Sequence, residues 1–147
     1  MGLNTEWQQV NNSMSVRSGT LRGLHFQVSP HAEVKLVRCI HGTVWDVVVD
    51  LRSSSNTYRH WFGTEISARN RTMMYVPEGF AHGFLSLSPN AEIIYFVSSV
   101  YEPEAERILL WNDSDVGIKW PKTPTCMSEK DAAGAPLKIL EQSLCVF

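Results

Sequence analysis

Gly19-Thr20-Leu21-Arg22-Gly23-Leu24-His25-Phe26-Gln27 is the stretch on which the fold turns. Leu21, Leu24 and Phe26 are interrupted by Arg22, His25 and Gln27, and glycine punctuates the run at Gly19 and Gly23. A short run with a period near two, bounded by glycine and carrying an aromatic, reads as a strand beside a turn. Alternate side chains of a strand share a face. Arg22 and His25 are three positions apart, so they share a face only if Gly23 permits a bulge or bend. A guanidinium, a titratable ring and an amide this close together are costly to bury unless they bind something. Taken alone, a polar strand face with a hydrogen-bonded histidine fits the stretch equally well.

Outward from this strand the texture is repetitive. Residues 1–18 are polar and lack apolar periodicity, which suits an arm or an edge strand. Further strands are expected at 34–38, 44–51, 58–65, 72–76, 80–85 and 92–100, separated by turns such as His41-Gly42-Thr43 and Pro77-Glu78-Gly79. Residues 102–147 read as a flap and tail: a charged connector, an aromatic and acidic stretch from Leu109 to Trp120 with room for a last short strand, and a loop at 127–135. Leu137, Leu140 and Leu144 at helical spacing suit a short C-terminal helix. Many short strands with Gly, Pro and Asn turns predict an all-β sandwich or jelly roll, with a site in its mouth.

The whole chain, 1–147, is expected to form one domain, large enough to bury roughly 70% of its extended surface. Thirteen basic and 15 acidic residues give a formal charge of −2, which supplies no basic field for nucleic acid and no polybasic membrane patch. The sequence shows no long apolar run and no charged-then-apolar leader. Cys39, Cys126 and Cys145 are odd in number and widely spaced, so they read as reduced thiols of a cytoplasmic protein.

Several polar residues sit where a strand faces a core: His25, Lys35, Asp46, His82 and Tyr95. Each has a plain explanation. Lys35 can carry its ammonium out to solvent, Tyr95 can be a core residue with its hydroxyl bonded, and Asp46 and Asp50 can face water. Together, a histidine, a lysine, a tyrosine and an arginine converging on one cavity make an acid–base site with a cationic anchor.

The chain resembles the dTDP-4-dehydrorhamnose 3,5-epimerases and their nucleotide-sugar epimerase relatives. The resemblance is carried by residues 19–27, by Lys35-Leu36-Val37-Arg38, by Gly42 through Asp50-Leu51-Arg52 and by Val76 through Phe84. Trp111-Asn112-Asp113, Gly117 through Pro121 and Ser128-Glu129-Lys130-Asp131 complete it, in order and near the family's spacing. It implies a cupin-type jelly roll, a homodimer, and no metal or organic cofactor. It further implies His25 as catalytic base, Asp131 as its paired carboxylate, Tyr95 as the acid on the opposite face and Lys35 as the cation beside an enolate. Arg22 and His82 match substrate and diphosphate contacts; Asn12, Glu106 and Lys130 match weaker binding positions, and Tyr101 an aromatic near sugar or base. The chain reads as N-terminally shortened relative to that family, which leaves the nucleotide open.

The implied chemistry suits these residue types. A 4-keto group acidifies the hydrogens at C3 and C5; histidine is a usable base near neutrality; an ammonium stabilises enolate charge; an arginine fork suits a diphosphate. Two other readings stand beside it. A non-catalytic nucleotide-sugar binding protein would bind without proton exchange. A metal-dependent cupin, or a sugar ketoisomerase, is expected to show His-x-His, where this chain has His25-Phe26-Gln27.

Overall fold

A computed structural model describes residues 2–142 and 144. Among these residues nine strands form in chain order: β1 Gln9–Ser15, β2 Leu21–Gln27, β3 Lys35–His41, β4 Thr43–Asp50, β5 Trp61–Ser67, β6 Met73–Val76, β7 Phe80–Ser86, β8 Ala91–Val97 and β9 Glu106–Ile108. Two short helices follow, α1 Glu129–Ala132 and α2 Leu137–Glu141. The strands make two antiparallel sheets, ordered β1-β8-β3-β6 and β5-β4-β7-β2-β9. This is the expected all-β jelly roll of cupin type with a short C-terminal helix.

Two apolar layers hold it. On β4 the even positions Val44 and Val48 pack between the sheets with Val37, Ile66, Phe84 and Ile93. The odd positions Val47 and Val49 point to the opposite face, where Leu24, Phe26 and Ala81 meet Leu109, Leu137, Leu140 and Leu144. The five-stranded sheet is therefore covered on both faces, and β4 reads as a nearly continuous apolar run for that reason. The segment from Leu109 onward is the second cover.

Several boundaries differ from expectation. The strand expected at 58–65 begins only at Trp61, as β5, because residues 53–59 turn back onto Asp50 and Arg59 takes a left-handed backbone (φ 66°). The last strand precedes Leu109, and residues 109–120 hold no strand. The loop expected at 127–135 contains α1, capped by the Ser128 hydroxyl accepting from the Asp131 N–H. The polar segment before residue 19 does supply an edge strand, β1, paired with β8. Asp46 and Asp50 do not face water: both are buried, and Asp50 accepts from Arg52, Ser55 and Thr57. Cys39 and Cys126 are free thiols, while Cys145 lies outside the described residues. Among the described residues no helix is long and apolar enough to cross a membrane.

Candidate active site

The bulge foreseen at Gly23 is what brings Arg22 and His25 to one face. Pairing of β2 with β7 runs Leu21–Leu85 and Arg22–Phe84, then slips before resuming at His25–His82. Gly23 has φ +112°, and a Cβ there would lie 2.7 Å from both the Gly83 Cα and the His82 carbonyl oxygen. Only a residue without a side chain fits the two backbones at this approach. Leu24 and Phe26 then face the outer apolar layer, while Arg22 and His25 face the space between the sheets.

That space is a cavity in two lobes. The larger, about 290 Å³, is lined by Gln9, Asn11, His25, Glu33, Tyr95 and Tyr101, among others. The smaller, about 140 Å³, is walled by Arg22, His25, Lys35, His82, Tyr95 and Asp131. His25, Lys35 and Tyr95 belong to both lobes and mark their junction.

His25 and Asp131 are 106 positions apart in sequence and meet at 2.6 Å, Nε2 to Oδ1. The other carboxylate oxygen accepts the Ser128 hydroxyl at 2.9 Å, and a Gly23 backbone contact adds a further favourable interaction. Burial would push the Asp131 carboxyl up; the His25 hydrogen bond and charge, with Ser128 and Gly23, outweigh it and hold the group below the usual carboxylate range. An ionised carboxylate only accepts, so Nε2–H of His25 is the donor, and in the neutral ring Nδ1 is then the nitrogen with the lone pair.

Tyr95 projects from β8 into the cavity. Burial pushes its phenol up, and the charge of Glu33 adds to this, so at neutral pH it stays protonated. The Lys35 ammonium is 3.0 Å from Glu33 Oε1 and 3.4 Å from the His25 carbonyl oxygen. His82 Nε2 lies 2.5 Å from Asp46 Oδ1, so two histidines on the neighbouring strands β2 and β7 each pair with a carboxylate. At the rim, Lys130 of α1 donates to Glu106, and the Tyr101 hydroxyl donates to Glu106 at 3.0 Å.

The cavity thus gathers His25, Asp131, Tyr95, Lys35, Arg22, His82, Tyr101 and Glu106, with Lys130 on its edge. Asn12 lies elsewhere. On β1 the odd residues turn inward, so Asn11 lines the cavity while Asn12 faces outward and donates to Glu92 at 2.8 Å. The apolar residues of this strand, Val10 and Met14, are in phase with Asn12 and are exposed, so an apolar-in reading selects the wrong asparagine. Sequence reasoning also missed Ser128 and Glu33. Ser-x-x-Asp is a capping pattern that could have flagged the first. The second follows from Glu33 and Lys35 being two apart on extended chain, hence on one face. Among the described residues no group of three or more His, Cys, Asp and Glu side chains is arranged to hold a metal ion.

A histidine–aspartate base, a protonated phenol and an ammonium around one jelly-roll cavity define an acid–base site of the kind that moves protons at carbon. A family profile described as dTDP-4-dehydrorhamnose 3,5-epimerase matches residues 1–138. The dTDP-4-dehydrorhamnose 3,5-epimerase of Salmonella typhimurium is 47% identical over 98% of this chain and 77% of its own length. The crystal structure of the Elizabethkingia anophelis enzyme of that name superposes with a TM-score of 0.90 at 45% identity, covering 93% of this chain and 75% of the other. The dTDP-6-deoxy-D-glucose-3,5-epimerase of Legionella pneumophila, solved with dTDP-4-keto-L-rhamnose, gives 0.90 at 38% identity over 97% and 76% of the two chains. The chain belongs to the dTDP-4-dehydrorhamnose 3,5-epimerase family, a family of isomerases.

Proposed function

We propose that the protein epimerises a 4-keto-6-deoxy nucleotide-diphosphate sugar, of the dTDP-4-dehydro-6-deoxyglucose type, at C3, C5 or both. The observation that carries the reading is the junction of the two lobes, where His25 with its carboxylate, Lys35 and Tyr95 border one space. His25 Nδ1 takes the proton from the carbon beside the ketone, and Asp131 stabilises the imidazolium. The electron pair moves onto the 4-keto oxygen as an enolate, whose growing charge the Lys35 ammonium stabilises. The Tyr95 phenol returns a proton to the same carbon from the opposite face, inverting it. One proton is taken and one given, and exchange with solvent resets both groups. Arg22 and His82, in the smaller lobe, suit the diphosphate end; Tyr101, Glu106 and Lys130 frame the larger lobe.

The protein is further proposed to pair as a homodimer through the outer face of the four-stranded sheet. Val10, Met14, Ile40 and Met73 are exposed there, an apolar set that a second copy would cover. Sedimentation should give twice 16.6 kDa, and Met14→Glu should halve it.

The deciding experiment supplies such a 4-keto sugar in heavy water and follows C3 and C5 by NMR. Deuterium at one or both carbons, lost in His25→Ala, supports the assignment and reports the regiochemistry. Tight binding without exchange would instead mark a nucleotide-sugar binding protein.

A further inference from the structure

We infer that Glu33 is a positioning residue that holds the Lys35 ammonium at the junction of the two lobes. The inference rests on the acid–base reading given above. The two side chains are only 11% and 8% exposed and meet at 3.0 Å. The other hydrogen bond of the ammonium, to the His25 carbonyl oxygen at 3.4 Å, is long and weak. Glu33 is therefore the one close partner of Lys35 among the described residues. A buried ion pair of this kind adds little net stability, because desolvation offsets the attraction. What it supplies is direction to a flexible four-carbon stem.

Glu33 itself is firmly seated. Its neighbour Val34 donates its N–H to the Ser98 hydroxyl at 2.8 Å and accepts the Ser98 N–H at 3.0 Å. The His31 carbonyl, on the other side, accepts from Gln27 at 2.9 Å. The carboxylate thus stands on backbone tied to β2 and to the end of β8.

The need for such a residue follows from the substrate. A nucleotide-diphosphate sugar brings a strong permanent anion and a ketone that becomes charged only in the transition state. A loose lysine would swing to the diphosphate, where it helps ground-state binding and does nothing for the reaction. A carboxylate on its near side keeps the ammonium on the ketone, where its charge counts when the enolate forms.

The test compares the exchange kinetics of wild type, Glu33→Ala, Glu33→Asp and Glu33→Gln with the same 4-keto sugar. In Glu33→Ala, kcat should fall about 10–100-fold with KM unchanged or lower, the signature of an interaction realised only in the transition state. Glu33→Asp keeps the charge but loses reach, and should fall about as far. Glu33→Gln presents an amide oxygen at the same place, and should stay within about tenfold of wild type. If Glu33→Ala does not fold, the contrast between Asp and Gln decides alone. Exchange at the wild-type rate in Glu33→Ala, or equal rates in Glu33→Asp and Glu33→Gln, would overturn the inference and leave the functional reading standing. A raised KM at constant kcat would make Glu33 a substrate contact and would likewise overturn it. An inert wild type would overturn the functional reading and this inference with it.

Discussion

Replacing Gly23 by alanine tests whether the bulge in β2 builds the site. The added methyl meets two costs. The first is conformational: φ +112° lies outside what L side chains favour, worth roughly 1–3 kcal/mol. The second is steric. The new carbon would lie 2.7 Å from both the Gly83 Cα and the His82 carbonyl oxygen, where nonbonded carbons prefer about 3.5–4.0 Å. Both obstacles are backbone, so β2 must move about 1 Å from β7, at a further cost of roughly 1–3 kcal/mol. Together that is about 2–6 kcal/mol, against a total of roughly 5–15 for a domain. The variant should fold with a much lower urea midpoint. His25, two residues along, would be displaced from its 2.6 Å bond to Asp131, and a shift of that size costs about 100-fold in rate. Urea titration and deuterium exchange on the same samples measure both effects. Gly117→Ala is the control: it also has positive φ (+66°), but its Cβ would meet nothing closer than 3.9 Å, so it should lose only the conformational part. A Gly23→Ala protein within about 1 kcal/mol of wild type and with full exchange would refute the reasoning.

Three further outcomes are expected. Tyr95→Phe should retain exchange at the carbon His25 deprotonates but lose inversion; unchanged product formation would remove the phenol from its role. Ser128→Ala removes one hydrogen bond to the Asp131 carboxylate and the cap of α1, and should cost about 1–2 kcal/mol in urea unfolding with a kcat loss of about tenfold. Acid should destabilise the fold through Asp50 and Asp131. Burial pushes the Asp50 carboxyl up, but Arg52, Ser55 and Thr57 hold it well below the usual carboxylate range, and Asp131 is also held below it. Both contributions are present above the unfolded carboxylate value of about 4 and are lost as pH falls toward the folded ones. Urea midpoints between pH 5 and 3 should therefore drop in wild type and drop less in Asp50→Asn; parallel slopes would exclude Asp50.

Strand β2 was readable because glycine spacing and alternation coincide there, and the bulge could be inferred from Arg22 and His25 being out of phase. The apolar strands β3, β4, β7 and β8 announced themselves through β-branched and aromatic runs. Asn12 and Asn11 were hard to tell apart because the apolar residues of β1, Val10 and Met14, share the face of Asn12, and that face is the exposed one, so the apolar phase points away from the cavity. The start of β5 was hidden because the turn before it is set by side chains reaching back to Asp50, a tertiary effect. Helix α1, four residues long, is too short for any period to show; only its cap leaves a trace. The roles of His25, Tyr95 and Asp131 came from family resemblance. Spacing alone does not reveal that residues 25 and 131 touch.

The segment after Leu109 both seals the outer face of the five-stranded sheet and delivers the aspartate to the histidine. A chain cut short before Leu109 would therefore leave His25 with no carboxylate behind it and the sheet with one side wet. Proton chemistry and the hydrophobic cover are thus tied to one segment, so a lesion that strips the cover also disarms the base.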